Sequence, residues 1–524
     1  MTTADAPTSA PRAAEGAPAL GDMPPEEFRR HAHAAVDWMA DYLAGVERFP
    51  VLSQVQPGDV ASRVPTAPPA AGEDFAEVLA DVDRVVMPGI THWNHPDFYA
   101  YFAITGSAPG IIGEMMAAAL NVNGMLWRSS PAVTELEERA LGWLREMLGL
   151  PEAFRGTIQD TASTSTLVAI AAAREAAGVA VREEGMAGRD LPRMRVYASE
   201  QVHSSIDKAC ITLGLGMQGL RKIPTDAEYR MDPAALAAAI AEDRAAGMLP
   251  FCVVATAGTT STSSVDPVPA IAEVCAREGV WLHVDAAYGG AAAAVPELRW
   301  VLAGAERADS LVVNPHKWLF TPIDISVLYL RDPAVARRAF SLVPEYLVTP
   351  EGESVTNLMD YGPALGKRFR ALKLWFVLRY FGAEGVAARI REHVRLAHEL
   401  AAWVDAEPFW ERLAPTPLSL VVFRHRPAGL SEDEVDAHNE RIMAAVNASG
   451  RMFISHTKLQ GRVALRFAIG NIRTTQEHVR AAWELLKRAA ADDRSHLTVS
   501  RPHTESTEST ENSGRSSVDS VDSV

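Results

Sequence analysis

The sequence predicts an α/β fold: a mostly parallel central sheet, a helical segment ahead of it and a smaller α+β unit behind it. Three observations carry that prediction. Short β-rich runs alternate with helical stretches through the middle of the chain: RVYAS (195–199), FCVVATAG (251–258), VWLHVDAAY (280–288), SLVVNP (310–315) and ISVLYL (325–330). These runs are apolar throughout, as strands are when crossover helices cover both faces of their sheet. Finally, 524 residues with 48% hydrophobic and 22% charged side chains can bury a large core, divided into about two to four units. In such a sheet the functional loops follow the C-terminal ends of the strands.

Residues 1–22 are rich in Ala, Pro, Thr and Gly without an apolar period, which predicts a disordered leader. In the next stretch, PEEFRRHAHAAVDWMADYLAGV, Phe28, Ala32, Ala35, Val36, Met39 and Leu43 fall near one helical face. A Pro-rich link over 57–69 leads to a second helix around 75–86. These helices have no sheet of their own and cannot bury their apolar faces alone, so 23–107 is set apart as an N-terminal helical segment, for which the resemblance given below implies a role in dimerisation. The large α/β domain is placed at 108–373. RFRALKLWFVLRYFG opens a long helix across that boundary. LSLVVFRHR (418–426), a helix at 431–448 and RVALRFAIG (462–470) then form a small α+β domain, 374–491. From 492 to 524 the chain passes through TESTESTE and SVDSVDSV, an acidic Ser/Thr-rich tail expected to be disordered.

A formal charge of −16 argues against a nucleic-acid binder held by a basic surface. No run of about 18 apolar residues occurs, and the first residues lack the basic and apolar regions of a signal peptide. Cys210, Cys252 and Cys275 are odd in number and sit in apolar segments, which suits free thiols in a reducing compartment. A cytoplasmic protein without membrane or nucleic-acid partners is expected.

The sharpest local signal is NPHKW (314–318), directly after the strand SLVV. A lysine at a strand end ordinarily faces water. Lys317, however, is followed by Trp318, Leu319 and Phe320, and an amine taken out of water becomes a neutral nucleophile toward an aldehyde. Upstream, VWLHVD ends in Asp285; a carboxylate there is often only a helix cap, and its other use is to pair with a protonated ring nitrogen. QDTASTST (159–166) starts an Ala-rich helix, where Ser/Thr capping competes with phosphate binding by free N–H groups. His203, just past RVYAS, would ordinarily be a core or surface histidine. A lysine, a carboxylate, a phosphate cradle and a flat imidazole at strand ends of one sheet make a pyridoxal phosphate (PLP) constellation. GLGMQG (214–219) matches a dinucleotide fingerprint but follows a helix and precedes the strand-like RKIP, the reverse of the required order, so a helix C-terminal glycine explains it better. His31 and His33 do not share a helix face, and no Cys/His cluster supports a metal.

Together with PGITHWNHPDFYAYF (88–102), LWRSSPAVTELE (126–137), HSSIDKA, ATAGTTSTSSVD, WLHVDAAYGG, GKRFRALKLWFVLR (366–379) and LRFAIGN (465–471), these motifs carry a family resemblance. The chain resembles the group II PLP-dependent amino acid decarboxylases, of the aromatic-L-amino-acid decarboxylase type, over everything but its two ends. The resemblance implies a fold-type-I, aspartate aminotransferase-like PLP-dependent transferase, working as a homodimer with active sites at the subunit interface. It implies that Lys317 carries PLP, Asp285 hydrogen-bonds the pyridine nitrogen and His203 stacks on the ring. Ala162, Ser163 and Asn314 would anchor the phosphate, Thr260 and Ala287 would contact the ring region, and His316 would neighbour the lysine linkage. Tyr346, in the lid-like loop VPEYLVTPEGES, would return a proton to the substrate Cα together with His203. The substrate pocket would be lined by Trp93, Tyr101 and Phe102, with Asn123 and Met125 from the partner subunit. A small residue at Gly366 accompanies bulky rings, which makes tryptophan the first expectation.

The activity so implied is decarboxylation of an aromatic L-amino acid of the tryptophan, DOPA, phenylalanine or tyrosine class to its amine and carbon dioxide. The alternatives are decarboxylation of histidine or an acidic amino acid, or a decarboxylation-dependent aldehyde synthase. Aldehyde-forming relatives replace the loop tyrosine or the stacking histidine, and this chain has both. A PLP aminotransferase shares the fold and would yield a keto acid in place of carbon dioxide.

Overall fold

The structure, a computed structural model, describes residues 21–499. Its larger sheet has seven strands: β1 (Arg155–Gln159), β2 (Met194–Ser199), β3 (Leu220–Ile223), β4 (Leu249–Thr256), β5 (Trp281–Asp285), β6 (Ser310–Val313) and β7 (Ser326–Leu330). Their spatial order is β1-β7-β6-β5-β4-β2-β3. β3, β2, β4, β5 and β6 run parallel, and β7 is antiparallel to both its neighbours, so β1 points the same way as those five. The C-terminal ends of β1, β2, β4, β5 and β6 therefore line one edge of the sheet. The five apolar runs are β2, β4, β5, β6 and β7, and RKIP falls in β3; RGTIQ, which is β1, has one large aliphatic residue and no run to mark it.

Alternation along β5 sorts its side chains between two layers. Leu282 and Val284 join the main core on one face. Trp281 packs on the other face among Val168, Ala169, Ile170, Ala172 and Ala173 of the helix Ala162–Ala176. That helix leads its alanine-rich side onto the sheet, and its N-terminus points at the functional edge. GLGMQG forms the turn between the helix Ser205–Thr212 and β3, with Gly214 and Gly216 both at positive φ.

Ahead of the sheet, the helix Pro25–Ala44 and the shorter Phe75–Asp81, continued by a π-helical turn over Val82–Val86, leave Phe28, Val36, Phe75, Val78 and Val86 exposed. The predicted apolar stripe is present, and among the described residues nothing covers much of it. The helix Ala108–Leu120 crosses the long helix Arg370–Ala406 closely: a Cβ on Gly113 would stand 2.7 Å from the Lys373 Cα. The smaller, antiparallel sheet contains β8 (Trp410–Arg412), β9 (Leu420–His425), β10 (Ser455–Leu459) and β11 (Arg462–Ala468) in the order β10-β11-β9-β8. Residues 98–102 are tied to it, since the Tyr99 N–H donates to Phe453 O at 2.8 Å and the Ala468 N–H to Tyr99 O at 2.9 Å.

The helix Glu432–Ala448 starts with a capping box, Ser431 with Glu434, and the helix Gln476–Val499 closes the described chain. This last helix continues past the composition boundary at 492. Asp493 accepts hydrogen bonds from Arg441 Nε and His438 Nδ1, both at 2.6 Å, which ties the polar end of the helix to its neighbour. Residues 1–20 of the expected leader and 500–524 of the expected tail lie outside the described residues. Among the described residues no helix is long and apolar enough to cross a membrane, and no group of metal-ligating side chains gathers.

Candidate active site

Asp285 is the last residue of the central strand, paired in register with Thr256 of β4 and Val312 of β6. It is 5% exposed, and its Oδ1 accepts the Ala287 N–H at 3.1 Å, so the loop beyond the strand orients the carboxylate. After β6 the chain turns at Asn314 into the four-residue helix Pro315–Trp318, which brings Lys317 to the same edge. The Lys317 amine lies 5.9 Å from the Phe102 ring centroid. Burial pulls its pKa below that of an ordinary lysine, and the carboxylate of Asp285 opposes that shift. Two loops meet closely beside this edge: Gly258, at φ +95°, would place a Cβ 3.0 Å from the Gly289 Cα.

His203 follows β2. Its Nδ1 accepts the Ser205 N–H at 3.2 Å and lies 2.9 Å from Ser205 Oγ. A backbone N–H can only donate, so the neutral ring carries its proton on Nε2. Burial, and then the charge of Lys317, push the His203 pKa down, which keeps the ring neutral near pH 7. His316 is held the same way: its Nδ1 accepts the Ile325 N–H at 3.1 Å, and burial takes its pKa down to about 4. The Asn314 amide lies 3.4 Å from His316 Nε2, and its Oδ1 is otherwise a buried, unpartnered acceptor. A protonated Nε2 requires the amide oxygen to face it, which leaves the Asn314 NH2 as a donor for another group.

The phosphate cradle read at 159–166 is the N-terminus of the helix Ala162–Ala176. Its N-cap, Thr161, makes no side-chain cap bond, and the Thr161 N–H goes to Asp160 Oδ1 at 2.6 Å. The first N–H groups of Ala162 and Ser163 thus lack a side-chain acceptor, as an anion site requires. A buried amine, a strand-end carboxylate, an uncapped helix start and an Nε2–H imidazole on one sheet edge fit PLP chemically.

Phe102 stacks on Tyr288 (3.6 Å between centroids), Tyr288 on Trp318 (4.7 Å), and the Trp318 Nε1–H donates to His393 Nδ1 at 3.0 Å. Trp93 stacks on Tyr101 at 5.7 Å. Tyr101 sits at φ 53°, a strained conformation for a bulky residue. The group that clasps it was missed in the sequence. Arg466, 3% exposed in β11, donates to Tyr101 O (3.3 Å), Thr260 O (2.6 Å) and Ser455 Oγ (2.8 Å), with Cζ 5.5 Å from the Phe102 ring. Burial draws its pKa down to about 10. LRFAIGN was visible as a motif, but nothing local shows that this arginine is buried. Thr260 itself is exposed, and Ala287, buried, accepts the Asn314 N–H at 3.1 Å.

The remaining predicted residues gather elsewhere. Asn123 Oδ1 accepts the N–H groups of Lys367 (2.9 Å) and Met125 (3.2 Å), and a Cβ on Gly366 would lie 3.9 Å from Asn123 Nδ2. Met125 packs with Leu126, Met359 and Leu347. Leu347 belongs to the turn Glu345–Leu347 that contains Tyr346, whose side chain lies outside the described residues. Asn123, Met125, Gly366 and the lid turn are thus one cluster within the chain.

Comparison with known proteins agrees with this geometry. The pyridoxal-dependent decarboxylase conserved domain matches residues 57–426, and the chain belongs to that family. It is 39% identical over 482 residues to a phenylacetaldehyde synthase of Arabidopsis thaliana, covering 90% of this chain and 97% of that one. It is 41% identical over 484 residues to tyrosine decarboxylase 2 of the same plant, covering 90% and 88%. The crystal structure of Oryza sativa TDC with PLP and tryptamine superposes with a TM-score of 0.87 at 40% identity, covering 90% of this chain and 99% of that one. The protein is therefore a carboxy-lyase of PLP fold type I, and PLP is its cofactor.

Proposed function

We propose that this protein removes the α-carboxylate of an aromatic L-amino acid, with tryptophan the first candidate, and releases the amine and carbon dioxide. The observation that supports this reading is that Lys317, Asp285 and His203 all follow strand ends on one edge of the sheet, with the Lys317 amine 5.9 Å from the Phe102 ring. PLP bound there supplies the electron sink for the pair left on Cα when carbon dioxide departs. Lys317, its pKa lowered by burial, attaches the cofactor. Asp285 would keep a proton at the ring nitrogen, the imidazole of His203 would cover the ring, and Asn314 with the first turn of the helix Ala162–Ala176 would hold the phosphate. His316, its Nδ1 fixed by the Ile325 N–H, packs beside the lysine, and Ala287 and Thr260 flank the ring region.

Trp93, Tyr101 and Phe102 offer flat apolar walls to an aromatic side chain. Arg466 has no carboxylate partner among the described residues and gives the pocket a positive potential that draws the substrate's carboxylate in. Tyr346 returns a proton to Cα, and closure of its loop excludes water.

The assembly is a cytoplasmic homodimer in this reading. The uncovered faces of Phe28, Val36, Phe75 and Val78, together with Ile112, Met116 and Leu120 on the helix Ala108–Leu120, form the apolar surface that a second copy would cover. The Asn123–Met125–Gly366–lid cluster would then serve the partner's pocket. His203 and Tyr346 favour amine over aldehyde.

The test is to incubate the PLP-loaded protein with single aromatic amino acids and identify products by mass. Amine and carbon dioxide from at least one of them, with little aldehyde, is the expected result. Aldehyde as the main product would move the protein to the synthase reading, and a keto acid to the aminotransferase one.

A further inference from the structure

The outer edge of the large sheet carries a polar arrangement that plays no part in the function proposed above. β1 is the edge strand, bonded on one side only, to β7. Near its end Ile158 is buried, and both of its backbone polar groups turn away from the sheet to side chains. Its N–H donates to Glu137 Oε1 at 2.8 Å, from the helix Pro131–Met147, and its C=O accepts from Lys367 Nζ at 3.1 Å. A buried edge needs such partners, because no further strand is there to satisfy the peptide groups. Glu137 is 3% exposed and Lys367 6%, so two ionisable side chains are taken out of water to hold one residue's backbone. Burial takes the pKa of Glu137 up to about 7 and lowers that of Lys367, and each is the largest charge opposing the other's shift.

Lys367 is bound to a second region through its backbone. Its N–H donates to Asn123 Oδ1 at 2.9 Å, and its C=O accepts the Gly124 N–H at 2.9 Å. The stretch leading to it is tied in the same way at its other end: the Met359 N–H donates to Met125 O at 3.1 Å, and Gln159 Nε2 to Tyr361 O at 2.9 Å. Residues 359–367 thus bridge the end of β1 and the loop 123–125 by direct hydrogen bonds at both ends. Ile158 and Gln159 are followed by Asp160, Thr161 and the helix start at Ala162, so the position of the strand end sets that of the helix start.

We propose that Lys367 and Glu137 are positioning residues that clasp the end of β1 and tie the substrate cluster of Asn123 and Gly366 to the phosphate cradle. Glu137 fixes the strand end from the helix beside it, and Lys367 passes the position of that end to Asn123 through its own backbone. The inference rests on the assignment of the phosphate to the first turn of the helix Ala162–Ala176 and of Asn123 and Gly366 to the substrate. In the homodimer proposed above, the clasp joins the cradle of one site to the substrate wall of the other. Anchoring an anion on backbone N–H groups depends on where they point, so a loosened clasp weakens the hold on the phosphate and leaves the aldehyde end of the cofactor untouched.

The test compares wild type with Lys367→Met, Lys367→Arg and Asn123→Ala by two readouts. One is the dissociation constant of pyridoxal divided by that of PLP, a ratio that isolates the phosphate; the other is KM for the aromatic substrate. Methionine keeps most of the buried stem and loses the donor, which leaves the Ile158 C=O unpaired. Lys367→Met should lower the ratio about tenfold and raise KM several-fold, with pyridoxal binding within about twofold of wild type. Arginine can donate to the Ile158 C=O again, so Lys367→Arg should recover most of both losses. Asn123→Ala alters an exposed side chain and keeps the test open if Lys367→Met does not fold. It should lower the ratio about threefold, although Asn123 shares no hydrogen bond with the helix start among the described residues.

A folded Lys367→Met with the wild-type ratio and KM would overturn the proposal, as would equal losses of PLP and pyridoxal binding, the mark of a general loosening. A wild-type ratio in Asn123→Ala would overturn it too. If wild type itself bound pyridoxal as tightly as PLP, the phosphate reading of the helix start would fail first, and that outcome is visible before any variant is made.

Discussion

The edge around Asp285 and Lys317 and the cluster around Asn123 and Gly366 are built on opposite principles. At the first, the reacting groups sit against the core: Asp285, Asn314 and His316 are buried and burial lowers the Lys317 pKa, while His203 and Thr260 stand at its exposed rim. The second is exposed, held by Asn123 side-chain bonds to the backbone of Lys367 and Met125 and by a few apolar contacts to the lid turn. Chemistry that depends on shifted pKa values needs the first environment. Selection among substrates and the fate of the carbanion can sit in the second, where substitutions do not disturb the core.

Four experiments break or sharpen that contrast. Lys317→Ala should cut turnover on the order of 10³-fold or more, and borohydride reduction of the wild-type holoprotein should label Lys317 in peptide mass spectra while leaving the variant unlabelled; a label on another side chain refutes the site.

The buried region should also be acid-sensitive. Burial takes the pKa of His393 from 6.5 to about 4, so the unfolded chain binds the proton first. Stability is then fully present above pH 6.5 and is lost as pH falls toward 4. One such histidine accounts for about 3 kcal/mol across that window, and His316 and His283 shift the same way. The Tm should decline from pH 6.5 to 4, and His393→Gln should decline less steeply; parallel profiles would show that this ring does not contribute.

On the exposed side, Tyr346→Phe should lower amine formation about 10²-fold and raise the aldehyde fraction, read by product mass. An unchanged product ratio removes its proton-donor role. The smallest effect is expected at Gly366. A Cβ there would meet nothing nearer than Asn123 Nδ2 at 3.9 Å, so Gly366→Ser should fold with an unchanged Tm. It should shift the kcat/KM ratio of tryptophan to tyrosine about tenfold toward tyrosine.

Much of the cofactor edge was legible because its signals are local. Lys317 and Asp285 each stand at the end of an apolar run, and the start of an Ala-rich helix after Gln159 marks a candidate anion site whatever surrounds it. Arg466 and His283 were not legible. Both lie in strands whose pattern reads as ordinary core, and their interest comes from what packs on them: Phe102 and the carbonyls of Tyr101 and Thr260 for one, the Ser310 hydroxyl for the other. β1 was silent because RGTIQ has too few aliphatic residues to form a run, although Ile158 still holds its place by donating its N–H to buried Glu137 at 2.8 Å.

From the amino-acid order alone came the α/β alternation, the strand-end chemistry and the family, since hydrophobic periodicity and short motifs are properties of neighbours along the chain. Tertiary packing alone decided which polar groups lose their water, that the 98–102 segment joins the small sheet, and that Asn123 and Gly366 share one cluster with the lid turn. The reason is that desolvation and long-range hydrogen bonds depend on contacts between residues hundreds of positions apart, such as Tyr101 with Arg466, which no window along the chain contains.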